Sequence, residues 1–199
     1  MGVYGFNEGL GMILNQFSSG SKLISIAGGS CSGKTKLVDS IKEEFGDRLV
    51  ILPIDAYYLN GNANTNFDHP DSLELDLVLE HINELKKGNG IYMPTYDFKT
   101  HSRTESIPIK PGEFILLEGL FALQEMFNNV SNYLVYMQAD EKIVFKRRMD
   151  RDVKERGRTP KGVLEQYLET VKPMFDEHVK PQKYYANLII ENNKYLKCK

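Results

Sequence analysis

The chain has 199 residues, enough for an α/β core, and its 41% hydrophobic and 26% charged residues are those of an ordinary globular protein. A net charge of −2 gives the surface no general attraction to nucleic acid or to an anionic membrane. Two cysteines, Cys31 and Cys198, make no disulfide framework and suit a reducing cytoplasm, and no apolar run reaches the ~18 residues of a bilayer span.

In chain order, Leu10, Ile13, Leu14 and Phe17 share one helical face after Asn7, a residue suited to capping. Gly9 and Gly11 weaken that helix, whose expected role is packing on the domain or on a partner subunit. Residues 22–27 read as a buried strand, and residues 34–45 as a helix with Leu37, Val38, Ile41 and Phe45 on one face. Between them, Gly28-Gly29-Ser30-Cys31-Ser32-Gly33-Lys34-Thr35 fits the G-x-x-x-x-G-K-[ST] phosphate loop. Glycines let the backbone turn tightly and aim several N–H groups at one polyphosphate. Lys34 would reach the β- and γ-phosphates, the Thr35 hydroxyl would hold Mg²⁺, and the helix N-terminus adds positive potential.

Residues 48–53 form a second apolar strand running into Asp55. Ligands of open parallel sheets sit at the carboxyl ends of strands, so Asp55 is well placed for a site, although a turn aspartate reads the same way. Residues 59–67 are polar, rich in asparagine, and read as a mobile loop. Asp71 and Glu74 look like a capping box for a helix that turns Leu75, Val78, Leu79, Ile82 and Leu85 inward and stops near Gly88; His81 on it reads as a solvated histidine. Residues 90–98 and 104–110 read as a hairpin. Residues 113–118 form a buried strand ending in Glu118, where phosphate-loop enzymes keep an acidic residue near the metal.

Residues 133–137 are a further strand, followed by a basic helix over 140–152 with Lys142, Lys146, Arg147, Arg148 and Arg151. Interleaved Asp140, Glu141, Asp150, Asp152 and Glu155 give it the look of a salt-bridged, solvated face. The phosphate loop favours instead an arginine-bearing lid. Thr159 and Pro160 cap and open a helix over 161–178, bent by Pro173 and ended by Pro181, before a last strand at 187–190. This alternation predicts a parallel sheet of about five strands with helices on both faces, an inserted hairpin over 90–110 and a helical lid over 140–160. All of it forms one domain over 1–199, with residues 1–20 as an N-terminal extension.

The assembled motifs resemble the uridine–cytidine kinase family of P-loop kinases. Beyond the phosphate loop they are Asp55-Ala-Tyr-Tyr58, Asn66-Phe-Asp-His-Pro70, Pro94-Thr-Tyr-Asp-Phe98, His101-Ser-Arg103, Leu116-Leu-Glu-Gly119, Arg151-Asp-Val-Lys-Glu-Arg-Gly-Arg158, Gln166-Tyr167 and Val171-Lys-Pro173. The resemblance implies Asp55 as the base for the ribose 5′-hydroxyl and Asp68 as the grip on the ribose diol. It implies Tyr96, Phe98 and His101 around the pyrimidine, with Arg158 and Gln166 as further base contacts and Arg148 near sugar and phosphates. Arg151 and Arg156 become lid arginines facing the triphosphate, beside the phosphate-loop residues Gly28, Gly29, Ser30, Ser32, Gly33, Lys34 and Thr35. Thr35, Glu118 and Asp55 surround the metal. The implied cofactors are ATP or GTP as donor and Mg²⁺; the implied partner is a nucleoside, with no nucleic acid and no membrane, in the cytoplasm, and a homo-oligomer is left open. Cys31 departs from the family's small Gly or Ala. Rival readings are a kinase of phosphoribulose, pantothenate or nicotinamide riboside, a non-catalytic nucleotide-binding regulator, and a nucleic-acid-binding ATPase.

Overall fold

The computed structural model describes residues 2–62 and 64–194; Cys198, and Ala63 within the asparagine-rich loop, lie outside them. The chain opens with β1 (Val3–Gly5) and α1 (Phe6–Ser18), then runs through β2 (Leu23–Gly28), α2 (Lys34–Phe45) and β3 (Leu49–Pro53) to α3 (Leu75–Lys86). Four short strands follow: β4 (Ile91–Met93), β5 (Tyr96–Asp97), β6 (Ser102–Arg103) and β7 (Ile107–Ile109). The remainder is β8 (Phe114–Gly119), α4 (Glu125–Asn128), β9 (Tyr133–Gln138), α5 (Glu141–Lys154), α6 (Pro160–Gln166), α7 (Lys172–Met174) and β10 (Leu188–Glu191).

Six strands form one parallel sheet in the order β1-β10-β9-β2-β8-β3, with helices on both faces. The order reverses about β2, so the phosphate loop leaves the sheet at its switch point, where open α/β sheets bind ligands. Alternate residues of the strands feed the two layers. Ile24, Ile26 and Leu116 meet Leu37 and Ile41 of α2, while Leu23, Ala27 and Leu117 share the other cluster with Val78 and Ile82 of α3. β4 pairs with β7 and β5 with β6, both antiparallel, so the expected hairpin forms as two short ladders.

The sheet has six strands where about five are expected. The addition is β1, which pairs with β10 and carries α1 across the same edge. Asn7 caps nothing: α1 starts one residue earlier, with Gly5 at the cap position. Gly9 has a packing reason, because a Cβ there would lie 2.5 Å from Ile190 Cγ1. The extension thus packs on the sheet itself, through buried Ile13 and Phe17.

Two further expectations are corrected. Asp71 and Glu74 do not form a capping box; α3 starts at Leu75, and the Glu74 carboxylate accepts from Arg103 Nη1 at 2.5 Å. His81 is buried rather than solvated, with Nδ1 2.9 Å from the Tyr57 hydroxyl, and burial lowers its pKa below the ordinary value. Thr159 does cap α6, accepting from Gly162 N–H at 3.1 Å, and Pro160 opens it. Beyond α6 the helix meets its prolines through two π turns, Tyr167–Val171 before Pro173 and Phe175–Val179 before Pro181. A proline lacks the N–H for residue i−4 and its ring crowds that carbonyl; each wider π turn contains the carbonyl concerned.

Candidate active site

The loop between β2 and α2 has the backbone that its glycines permit. Gly28 and Gly33 have φ of 151° and 108°, and a Cβ on Gly28 would sit 2.1 Å from the Met137 carbonyl oxygen. Cys31 has φ of 64°, the left-handed region where a glycine is easier, which gives its departure from the family pattern a backbone meaning. The loop is braced from behind. Buried Arg147 donates to the Cys31 carbonyl at 3.1 Å and to the Asn192 carbonyl at 2.9 Å, while Asn192 Nδ2 donates to the Ser32 carbonyl at 3.1 Å. Lys34 folds over the loop, its ammonium donating to the carbonyls of Gly28 at 2.8 Å and Gly29 at 3.1 Å. Thr35 is exposed on the first turn of α2.

Beside this loop stand three carboxylates. Asp55 lies on the turn after β3, with Lys34, Arg156 and Arg151 close enough to act on its charge. Crowding by protein raises its pKa against the pull of those cations. Its side chain nevertheless opens to the water of the cleft, with those three cations near it. Asp68 is raised by burial and by Asp55, and held down by Arg148, Arg158 and Arg156. Glu118, at the end of β8, is pushed up to about 7, first by burial, with Asp55 and Asp39 adding to the push and Lys34 opposing it. A cavity of about 150 Å³ joins Asp68 to the loop, with Gly29, Ser30, Leu120, Tyr136 and Phe175 in its walls.

Glu118 yields a pH prediction. Its folded-state carboxyl titrates above its ordinary 4.5, so the ligand-free fold is favoured by protonation below that value and loses this advantage as pH rises through about 7. Glu118→Gln should therefore stabilise the ligand-free protein at about pH 8, by roughly 1–3 kcal/mol, and change little near pH 5. Melting curves of both proteins at the two pH values check this; an equal shift at both would show that burial of the charge is not the cause.

The hairpin brings rings together. Tyr58, Phe67, Tyr96 and Phe98 pack at centroid separations of 5.2–6.4 Å, and His101 stacks on Phe67 at 4.9 Å and 16°. The Tyr96 hydroxyl is buried without a protein partner. Arg103 ties this arm to the turn after β3, donating to the carbonyls of Tyr58 and Tyr57 at 2.8 Å each and to Glu74.

Arginines of α5 and of the loop after it meet both groups. Arg151 Nη1 donates to Ser30 Oγ at 3.2 Å, and the Arg156 guanidinium lies 5.7 Å from the Phe98 ring centroid. Arg148 donates to Gln166 Oε1 at 3.3 Å, and Arg158 donates to the same oxygen. Every residue expected at the site thus falls in one region, around the carboxyl ends of β2, β3 and β8. Sequence reasoning missed Tyr58 and Phe67, which stand inside the motifs named above, and the brace of Arg147 and Asn192, for which no local pattern exists. The alternative of a solvated face for the basic run does not hold at Asp152, whose side chain has no exposed surface, and Arg147 and Arg148 are buried with it.

The model of the Phosphoribulokinase / Uridine kinase family matches residues 23–197. The chain belongs to this family. Family membership implies a nucleotide as phosphate donor. Among its relatives, the uridine kinase of Geobacillus sp. is 41% identical over 178 residues, covering 84% of each chain. Uridine kinases of Clostridium novyi and Halobacterium salinarum are 40% and 39% identical, covering 84% of this chain and 86% and 78% of theirs. Solved structures share the family fold at low identity. One is a possible uridine kinase from Bacillus stearothermophilus, at TM-score 0.68 and 13% identity, covering 92% of this chain and 98% of that one. Another is D-glycerate 3-kinase from Cryptococcus neoformans, at TM-score 0.64 and 16% identity, covering 89% of each. β1 and α1 precede the matched residues. No helix among the described residues is long and apolar enough to cross a membrane.

Proposed function

We propose that this chain transfers the γ-phosphate of a Mg²⁺-bound ATP or GTP to the 5′-hydroxyl of uridine or cytidine, in the cytoplasm. The observation that carries this reading is the placement of Asp55 and Asp68 between a phosphate loop and a ring-lined hairpin. Relatives named uridine kinase at about 40% identity support it. A nucleotide-binding regulator has no use for such a pair of acids facing an acceptor pocket.

The division of labour follows from charge and geometry. The loop N–H groups and Lys34 hold the polyphosphate, and Arg151 and Arg156 close over it, which excludes water and limits hydrolysis. Asp55 takes the hydroxyl proton; in a loose transition state that proton leaves late, so a carboxylate is a sufficient base. Asp68 accepts from the ribose diol, and a sugar lacking one hydroxyl leaves a buried acceptor short of a partner. Tyr96, Phe98 and His101 flank the base, with Arg158 and Gln166 at its edge and Arg148 towards the sugar. The donors present, one hydroxyl and two carboxylates, suit Mg²⁺, because Mg²⁺ carried on phosphates needs only one or two carboxylates. Thr35, Glu118 and Asp55 are the residues to hold it, and when bound it neutralises charge on the β- and γ-phosphates.

The test is ADP release with uridine, cytidine, 2′-deoxyuridine, phosphoribulose, pantothenate and nicotinamide riboside as acceptors. Stimulation by neither uridine nor cytidine overturns the reading. His101→Ala should lower kcat/KM for both nucleosides about tenfold, a loss of the size of one stacking or hydrogen-bond contact, with KM for the triphosphate unchanged. Parent-like nucleoside kinetics in that variant would remove the hairpin from the base pocket.

A further inference from the structure

We infer that Asp152 is the positioning residue for all four arginines of the site and that it governs phosphotransfer through them; this rests on the activity proposed above. The carboxylate sits near the end of α5, wholly buried. Its Oδ1 lies 2.9 Å from Arg151 Nε and 3.6 Å from Arg156 Nε, and its Oδ2 lies 3.4 Å from Arg148 Nε. Its main-chain carbonyl accepts from the Arg158 N–H at 3.1 Å.

The atoms used are informative. All three ion pairs engage Nε, the nitrogen nearest the stem of each side chain. A guanidinium held there keeps its terminal nitrogens for other work. Those nitrogens reach Ser30 Oγ from Arg151 and Gln166 Oε1 from Arg148, so one carboxylate links the phosphate loop to the acceptor side. Arg156 meets the same Oδ1 by charge alone, at 3.6 Å, and extends over Phe98. Four guanidiniums crowded together repel one another, and Arg156 feels that push from Arg151, Arg148 and Arg158 while Asp152 offsets it. Asp152 therefore sets both the direction of the arginines and the charge balance that lets them converge before any phosphate arrives.

The experiment is a double-mutant cycle on kcat, using Asp152→Asn, which keeps shape and removes charge, with Arg151→Gln and Arg156→Gln. In the parent, Asp152→Asn should lower kcat on the order of 10²-fold, the cost of slight misplacement of groups at a reacting centre. It should also raise the ADP formed per nucleoside monophosphate above one. In the Arg151→Gln/Arg156→Gln background the same change should cost less than about threefold, because the two groups it aims at the triphosphate are gone and only Arg148 and Arg158 still depend on it. A merely structural aspartate would cost the same in both backgrounds, and that additivity overturns the inference, as does parent-like kcat in Asp152→Asn. Should Asp152→Asn alone fail to fold, the arginine-reduced background, with less positive charge to balance, carries the test: a further loss near 10²-fold there overturns it, and a small one supports it. A parent protein that transfers nothing to either nucleoside would instead refute the proposed activity.

Discussion

Asp55→Asn is expected to lower kcat by about 10²–10⁴-fold while both substrates still bind, the usual cost of removing a general base. Asparagine keeps the shape and the hydrogen-bonding reach of the side chain but cannot take a proton. The local field suits Asp55 to proton abstraction, because protein crowding raises its proton affinity while Lys34, Arg156 and Arg151 favour its charged form. The measurement is kcat and KM for uridine with saturating triphosphate, together with calorimetric affinities for each ligand. Turnover near that of the parent would transfer the base role to another group.

Lys34→Ala should fail differently, with a loss of about 10²–10³-fold in kcat, the cost of removing one aimed charge from a developing transition state, and weaker binding of the triphosphate. In the ligand-free fold the ammonium rests on the carbonyls of Gly28 and Gly29. Those are interactions that it can exchange for phosphate oxygens without moving far. Removing it leaves two loop carbonyls without their donor and an anionic ligand without its nearest cation. Titration of the triphosphate into each variant separates the two cases: affinity preserved in Asp55→Asn and reduced in Lys34→Ala. Equal affinities in both would mean that the lysine does not meet the phosphates.

What was legible in the sequence was whatever local pattern encodes. The phosphate loop, the apolar strands on either side of the switch point and the Thr159-Pro160 helix start all rest on neighbouring residues. The failures share a cause, which is a partner far along the chain. His81 sits on an amphipathic helix at a position that looks wet until Tyr57 is placed against it. Glu74 has the spacing of a capping box, yet Arg103 claims its carboxylate from the hairpin. Asp152 stands among alternating charges, and only the folding back of the segment around Arg156 and Arg158 shows that it is sealed from water. β1 was invisible for a related reason: a strand of three residues, the last of them a glycine, carries no periodicity, and the edge it completes belongs to β10.

That last pairing bears on how the molecule comes into being. β1 is made almost a full chain length before β10, against which it lies in parallel register. Non-local parallel pairing is slow, because the ends of a long loop must meet before any contact rewards them. On the ribosome, then, the earliest strand waits while β2, β3, β8 and β9 assemble, its apolar companion α1 exposed meanwhile to any other sticky surface nearby. Asn192, whose amide braces the phosphate loop, follows β10 directly, so the nucleotide site is complete only once β10 has been made, and the pairing of β1 can come last.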